Sequence, residues 1–234
     1  NLNKINEYLQ LGYKSVFKNN QSFFKNIYSL KQGTYLKTNL KRTISKNYWP
    51  VYKKKLSKSN LTELIKIHKK NFFESLKIRL RSDVPIALCL SGGIDSATLA
   101  GVSKIKFKKK IEAFSIIDDE DERYNEINNI KKITKFLKIK SNYVKIKNKL
   151  DFQRLRRQIN YHESPIFTIT NYLQNFLAEN ISKKKYKVVL SGSGADEIYS
   201  GYYDHQLMYL YEVRNNKKMF LKHLNSWKKN ILPK

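Results

Sequence analysis

The segment IALCLSGGIDS, residues 86–96, joins a short apolar run to a glycine- and serine-rich turn that contains a carboxylate. A continuous apolar run of this length is typical of a buried parallel strand. Two adjacent glycines allow a tight turn and leave backbone N–H groups open to a ligand. The N-terminus of the helix that follows adds a positive dipole end. The segment therefore predicts a strand, a phosphate-binding loop and a helix in succession.

The side chains of this first loop, residues 91–96, make the prediction of a phosphate-binding loop more specific. Ser91 and Ser96 offer hydroxyl donors, whereas Asp95 would repel phosphate unless a metal ion lay between them. Mg²⁺ is the ion that bridges carboxylates and phosphates in this way. The alternative interpretation is an ordinary strand–turn–helix corner with Asp95 in the first turn of the helix. The complete hexapeptide directly after an apolar strand favours pyrophosphate binding.

A second loop, SGSGADE at residues 191–197, follows another apolar run and repeats this chemistry. Ligands of open α/β sheets bind beyond the carboxyl ends of the strands, at the point where the strand order reverses. If the strands before the two loops are neighbours, both loops face one crevice, and Asp95 and Asp196 can share a metal ion. The alternative for the second loop is a glycine-rich turn in which Asp196 caps a helix.

Strand and helix patterns alternate around the two loops. They predict an α/β fold with an open parallel sheet and crossover helices. The predicted strands are residues 86–90, 112–117, 143–146 and 188–190. The predicted helices are residues 96–102, 125–137, 155–160 and 172–181, with mostly helix after Asp204.

The part of the chain before this pattern is organised differently. Residues 1–50 are broken by Gly12, Gly33 and Pro50, which predicts small strands and turns rather than a long helix. Residues 53–59 are basic and polar, as in a linker. Asn60 then caps a predicted helix with an apolar face, and Glu63 completes a capping box.

The amino-acid composition limits the classes of protein to which this chain can belong. The 234 residues include one cysteine, and 41% of them are apolar, so a substantial core is expected. A lone cysteine within an apolar run fits a reducing, cytoplasmic setting. The absence of an apolar run of about 18 residues predicts no membrane span. Because the sequence begins with Asn1 rather than Met, we expect it to be part of a longer chain.

The net charge of +28 invites comparison with nucleic-acid-binding proteins. The lysines, however, are spread along the whole chain among Asn and Ile residues. A groove that follows phosphates concentrates its charge on one element with aromatic residues between. The pattern favours a solvated basic surface over a nucleic-acid partner.

Three further residues are weaker candidates. Glu126 stands at the start of a predicted helix, where an acid can simply complement the helix dipole. Glu163 lies at a break between helix and loop, where substrate contacts are common. Cys89 is interpreted as a core residue rather than a nucleophile, although its backbone can still lie under an adenine ring.

With these motifs, the chain resembles the glutamine-dependent asparagine synthetases. The segments that carry the resemblance are SDVP at 82–85, LCLSGGIDSATLAG at 88–101, FSI at 114–116, YNE at 124–126 and VVLSGSGADEIYSGYYDH at 188–205. Upstream, GY at 12–13, IYSLKQG at 27–33 and YW at 48–49 are similar to the end of the family's glutaminase domain.

The resemblance implies a fold and a domain division. Residues 1–52 would be the tail of an Ntn hydrolase-like glutaminase domain. Residues 60–234 would form a synthetase domain of the PP-loop ATP pyrophosphatase type, related to the adenine nucleotide alpha hydrolases and cut short at its C-terminus.

The resemblance also implies an activity, in which aspartate attacks ATP to give β-aspartyl-AMP and pyrophosphate, and ammonia from glutamine then displaces AMP. The partners implied are small molecules, with a homodimer left open, and the cofactors are ATP and Mg²⁺. By motif match, pyrophosphate would be held by Ser91, Gly92, Gly93, Asp95 and Ser96, and the metal ion by Asp95 and Asp196, which are also the expected catalytic residues. Cys89 and Ile116 would lie along the adenosine, and Ser191 and Gly192 would contact the nucleotide. The residues expected to contact substrate are Glu126, Glu163 and Ser193.

Three departures from the family pattern limit what carries over. The segment with the family's N-terminal cysteine and the later C-terminal segments are missing. The family's second loop commonly has an acidic residue where this chain has Ser193, and a serine alone is not a general base at neutral pH. Ser193 therefore leaves open a related amidotransferase acting on another carboxylate, such as a sugar acid. The basic charge leaves open a tRNA-modifying enzyme of the same pyrophosphatase group.

Overall fold

The structure is a computed structural model, and it describes residues 1–39, 41–49, 60–117, 126–146 and 151–232. The strands are β1 (Thr34–Thr38), β2 (Thr43–Asn47), β3 (Ile86–Cys89), β4 (Ile111–Ile117), β5 (Lys140–Lys145) and β6 (Val188–Leu190). The α-helices are α1 (Leu2–Leu11), α2 (Leu61–Arg79), α3 (Ile94–Gly101), α4 (Ile127–Leu137), α5 (Phe152–His162), α6 (Ile169–Lys183), α7 (Ala195–Tyr199), α8 (Tyr203–Glu212) and α9 (Lys217–Asn230).

The main sheet has four strands in the order β5-β4-β3-β6. Strand β3 is parallel to both β4 and β6. Its residues Ala87 and Leu88 are fully buried, as are Ala113 and Phe114 of β4. An apolar strand that is covered on both faces is what a parallel sheet requires. The predicted α/β fold with a parallel sheet and flanking helices is confirmed.

The order in which strands are added to the sheet reverses direction beside β3. The chain adds β4 and β5 on one side of β3, and β6 then pairs on the other side, with Leu190 opposite Leu88. The strands before the two loops are therefore neighbours, which was the condition for the two loops to face one site. Their carboxyl ends therefore lie together at the point where such sheets bind ligands.

The predicted elements of this region are present with shifted ends. Strand β6 has the predicted bounds, whereas β5 begins at Lys140 instead of Tyr143. Polar contacts explain the extension: the Lys140 ammonium lies 2.9 Å from Glu112 of β4, and the Asn142 amide donates to the same carboxylate at 3.1 Å. Since these side chains are polar, an apolar pattern does not reveal that they belong to a strand.

The prediction of only strands and turns in residues 1–50 is partly wrong. β1 and β2 form an antiparallel hairpin, but residues 2–11 form the helix α1. The Asn1 side chain caps α1 by accepting from the Lys4 N–H at 3.3 Å, and Gly12 follows its last residue. Gly12 thus marks the end of a helix, where glycine is common, rather than a turn between strands.

The predicted linker, residues 53–59, lies outside the described residues. The helix predicted after it is α2, and the Glu63 N–H donates to the Asn60 side chain at 2.9 Å. This contact confirms Asn60 as the N-cap. The first turns of the apolar face expected for α2 are exposed, at Leu61, Leu64 and Ile65, whereas Leu76 near its end is buried.

The chain divides into two compact units. The first contains Asn1–Ile78, Ile116–Asn125 and Tyr143–Tyr186, and the second contains Arg79–Ser115, Glu126–Asn142 and Lys187–Lys234. Both loops belong to the second unit. The domain division at residues 52 and 60 stays a prediction. Among the described residues, no helix combines the length and the apolar character needed to cross a bilayer.

Gly101 offers a test of helix α3. It has helical angles, φ −61° and ψ −50°, and a methyl group added there would meet no atom within 4 Å. We expect Gly101→Ala to stabilise the protein by about 0.5–1 kcal/mol, because alanine loses less conformational entropy in a helix. Urea unfolding measures the change. The mirror substitution Ala97→Gly in the same helix should destabilise, and a loss of stability in Gly101→Ala would contradict the assigned helix.

Candidate active site

The first loop leads from β3 into α3, and it is organised around the buried hydroxyl of Ser96. This hydroxyl accepts from the Ser91 N–H at 3.2 Å, lies 3.1 Å from the Ser91 hydroxyl and donates to the Gly93 carbonyl at 3.2 Å. The Gly93 N–H in turn donates to the Ser91 hydroxyl at 3.2 Å. The two serines predicted as phosphate donors thus also hold the loop in shape.

Gly92 cannot be replaced without strain. Its φ is +92°, and a methyl group at this position would lie 3.1 Å from Cβ of Glu126 and 3.3 Å from Cβ of Asn129. Only glycine adopts this conformation readily. The close approach places Glu126, a predicted substrate residue, beside the first loop at the start of α4. Asn129 was not predicted, since no local pattern reveals this contact.

The second loop leads from β6 into α7 and is closed in a similar way. The Ser191 and Ser193 hydroxyls lie 2.9 Å apart, and the Ser193 N–H donates to the Ser191 hydroxyl at 3.2 Å. Ser191 therefore has the same place in this loop that Ser91 has in the first. The Ser193 side chain offers a hydroxyl, exposed to solvent, where the resembled family commonly has an acid.

The two loops are in van der Waals contact through Gly192. A methyl group added to Gly192 would lie 3.2 Å from Cβ of Asp95 and 3.2 Å from the backbone nitrogen of Ser96. A larger residue at this position would hold the loops apart. Glycine here allows the backbone of the second loop to rest on the first turn of α3, so the two loops meet at the carboxyl ends of β3 and β6.

Each of the two loops contains one of the two predicted metal ligands. Asp95 is half-buried in the first turn of α3, and Asp196 is half-buried in the first turn of α7. Within the described ranges, no group of three or more His, Cys, Asp or Glu side chains comes together. Mg²⁺ is usually held by one or two carboxylates together with substrate phosphates and water. One carboxylate in each of the two predicted phosphate-binding loops fits that requirement.

The Asp196 side chain lies directly against Gly201. A methyl group at Gly201 would come within 1.8 Å of Oδ1 of Asp196 and 2.5 Å of its Cγ. The Gly201 N–H also donates to the Asp196 carbonyl at 3.1 Å. The turn after α7 thus folds back on the carboxylate. This role of Gly201 was not predicted from the sequence.

Next to Asp196, Glu197 accepts a hydrogen bond of 2.6 Å from the hydroxyl of Tyr202. The bond lowers the pKa of the Glu197 carboxyl and raises the pKa of the Tyr202 phenol. Both shifts favour a carboxylate that accepts from a neutral phenol at neutral pH. The sequence shows the two residues in one motif, but their spacing alone does not indicate this pairing.

The remaining predicted residues lie in β3, in β4 and directly after α5. Cys89 ends β3 half-buried, and burial raises the pKa of its thiol, which fits a packing role. Ile116 lies in β4 and is half-buried. Glu163 follows α5 with a φ of 52°, is exposed and belongs to the first unit. The roles of these residues in binding nucleotide or substrate stay predictions.

Comparison with known proteins gives a family and several relatives. Residues 69–230 match the asparagine synthase family. A Methanocaldococcus jannaschii protein named as a second glutamine-hydrolysing asparagine synthetase is 30% identical over 97% of this chain and 44% of its own length. The amidase chyE of Penicillium rubens is 29% identical over 78% of this chain and 30% of its own length. The chain spans less than half the length of both relatives.

Among solved structures, an NH3-dependent NAD synthetase from Campylobacter jejuni is similar, with a TM-score of 0.38 and 19% identity. The likeness covers 62% of this chain and 61% of that one. Because this similarity is distant, the fold assignment depends on the strand order and the parallel pairing themselves.

Proposed function

The chain belongs to the asparagine synthase family, and from this premise we propose that it carries the ATP-splitting site of an ATP-dependent amide ligase that makes asparagine from aspartate. The observation that carries the proposal is the contact of Gly192 with Asp95 and Ser96, which joins two phosphate-loop motifs at the ends of neighbouring parallel strands.

In the proposed reaction, an oxygen of the aspartate side-chain carboxylate attacks the α-phosphorus of ATP. The bond from that phosphorus to the bridging oxygen breaks, pyrophosphate leaves, and β-aspartyl-AMP forms. Ammonia derived from glutamine then attacks the activated carbonyl, loses a proton and displaces AMP to give asparagine. Adenylation is the half of the reaction that the two loops support.

The loop residues have distinct tasks in this proposal. Ser91, Gly92, Gly93 and Ser96 hold the leaving pyrophosphate, while Ser191 and Gly192 contact the nucleotide. Asp95 and Asp196 would hold Mg²⁺, which when bound neutralises charge on the phosphates. Such a site accelerates the reaction by positioning the carboxylate and by stabilising the departing charge.

An oxygen-label experiment tests this proposal. Full-length protein is incubated with ATP, an ammonium salt and aspartate whose side-chain carboxylate carries ¹⁸O. We expect asparagine, pyrophosphate and AMP in equal amounts, with one labelled oxygen transferred to AMP. Glutamic acid in place of aspartate serves as the control substrate. Formation of ADP and phosphate, or of pyrophosphate without need of aspartate, would contradict the proposal.

A second candidate is an amidotransferase of the same architecture that activates a different carboxylate, such as a sugar acid. Two observations favour it: Ser193 replaces the family's usual acidic residue, and a relative of similar identity is named as an amidase. Measuring pyrophosphate release over a set of carboxylic acids separates the candidates. This second function gains support if another acid stimulates release and aspartate does not.

A further inference from the structure

The segment between α7 and α8 forms a closed turn around one of the two loop carboxylates. At its base, the Gly201 N–H donates to the Asp196 carbonyl at 3.1 Å. Next to this bond, the Tyr202 hydroxyl donates to Glu197 at 2.6 Å. Two hydrogen bonds thus join Asp196 and Glu197, at the start of the turn, to Gly201 and Tyr202 at its end. Together they restrict how the turn can move.

The Asp196 carboxylate inside this turn cannot move toward Gly201, because its side chain is already in contact with that residue. A methyl group at Gly201 would lie 1.8 Å from Oδ1 and 2.9 Å from Cβ of Asp196, so the side chain is packed on the glycine backbone. If the turn opened, the surface against which this carboxylate rests would move away. The orientation of Asp196 therefore depends on the turn remaining closed.

The tyrosine that closes the turn is itself held in place. Tyr202 is the N-cap residue of α8, and its ring packs edge-on against His205, with the ring centroids 5.1 Å apart. Its hydroxyl is consequently presented from the start of a ten-residue helix. This anchoring allows one hydrogen bond to tie the short helix α7 to the longer α8.

We propose that the Glu197–Tyr202 hydrogen bond, termed the clasp, positions the Asp196 carboxylate toward Mg²⁺ on the pyrophosphate. The inference deepens the proposed function and rests on it. Glu197 and Tyr202 are positioning residues that act through Asp196. Both side chains are exposed, so water competes for the bond and its contribution to global stability is small. Its effect is expected at the metal site instead.

The test measures ATP binding to full-length protein by calorimetry across a series of Mg²⁺ concentrations, without a carboxylate substrate. We expect Tyr202→Phe and Glu197→Ala each to raise the Mg²⁺ concentration needed for half-maximal ATP binding about 10-fold, the usual effect of losing a residue that orients a metal ligand. Binding of ATP without Mg²⁺ and the unfolding temperature should stay unchanged. Glu197→Gln, which can still accept from the phenol, should retain most of the affinity.

Two further variants isolate the clasp. The double variant Glu197→Ala/Tyr202→Phe should be no worse than either single one, because both remove the same bond. The control Tyr203→Phe removes a neighbouring hydroxyl, on a ring that packs on Trp227, and should bind as the unchanged protein does.

The outcomes distinguish failure of the clasp from failure of the proposed function. If the unchanged protein binds ATP with Mg²⁺ and Tyr202→Phe binds equally well, the clasp is overturned while the proposed function stands. A loss in Glu197→Ala without a loss in Tyr202→Phe also overturns it, since Glu197 would then act directly. If the unchanged protein binds no ATP at all, both proposals are overturned.

Discussion

Replacing Asp95 by asparagine is expected to lower the rate of ATP-dependent pyrophosphate release at least about 100-fold, because it removes a charged group that, in the proposed site, would hold the metal ion near the leaving pyrophosphate. Asparagine has nearly the same size and shape, and Asp95 lies in contact with Gly192 of the second loop. The substitution therefore changes the charge while leaving the contact between the loops in place. Pyrophosphate release by full-length protein is the measurement.

The design of this experiment separates metal binding from folding. Asp196→Asn should show a loss of similar size, and the double variant should lose little more than either single one, since in the proposed site both carboxylates would hold the same ion. Asp204→Asn is the matched control, because Asp204 is an exposed acid in the first turn of α8. Undiminished activity in Asp95→Asn would remove Asp95 from the catalytic machinery and leave it as a helix-terminal acid.

The parts of the molecule that were predicted from the sequence are those governed by local patterns. The apolar run predicted as a strand at residues 86–90 contains the largely buried strand β3 (Ile86–Cys89), and residues 188–190 form β6 with the predicted bounds. The sequence left the adjacency of these two strands as a condition for a shared site, since ligand-binding loops of open sheets cluster where the strand order reverses, and the pairing of β3 with β6 meets that condition. The strands predicted from apolar runs and the loops predicted from their residue types are thus both present in the structure.

The features that were missed depend on other kinds of information. The sequence pattern does not predict helix α1, because a glycine such as Gly12 is as common in a turn between strands as at the end of a helix, and here it follows a helix capped by Asn1. The packing of Asp196 on Gly201 and the approach of Glu126 to Gly92 are matters of side-chain volume in three dimensions. No periodicity in the sequence encodes such contacts, and they became visible only when the loops were placed in space.

Because the two loops are in contact at Gly192, we expect the substitution Gly192→Val to lower both the stability of the protein and its affinity for ATP. A Cβ at this position would already lie 3.2 Å from both Cβ of Asp95 and the Ser96 nitrogen, and valine adds two methyl groups beyond it. The Ser96 nitrogen belongs to the backbone of α3 and cannot rotate away, so the loops must separate. We expect stability to fall by about 1–3 kcal/mol, as in other overpacked sites, and ATP affinity to fall at least 10-fold, about 1.4 kcal/mol.

A matched glycine in the same loop distinguishes separation of the loops from general destabilisation. Gly194 has a φ of +92° but no atom within 4 Å of an added methyl group. Gly194→Ala should therefore lose about 1–2 kcal/mol from backbone strain while keeping its affinity for ATP. Calorimetry of ATP binding and urea unfolding on both variants give the comparison. Equal losses of ATP affinity in the two variants would mean that destabilisation alone is responsible, whereas a loss confined to Gly192→Val means that the site requires the two loops in contact.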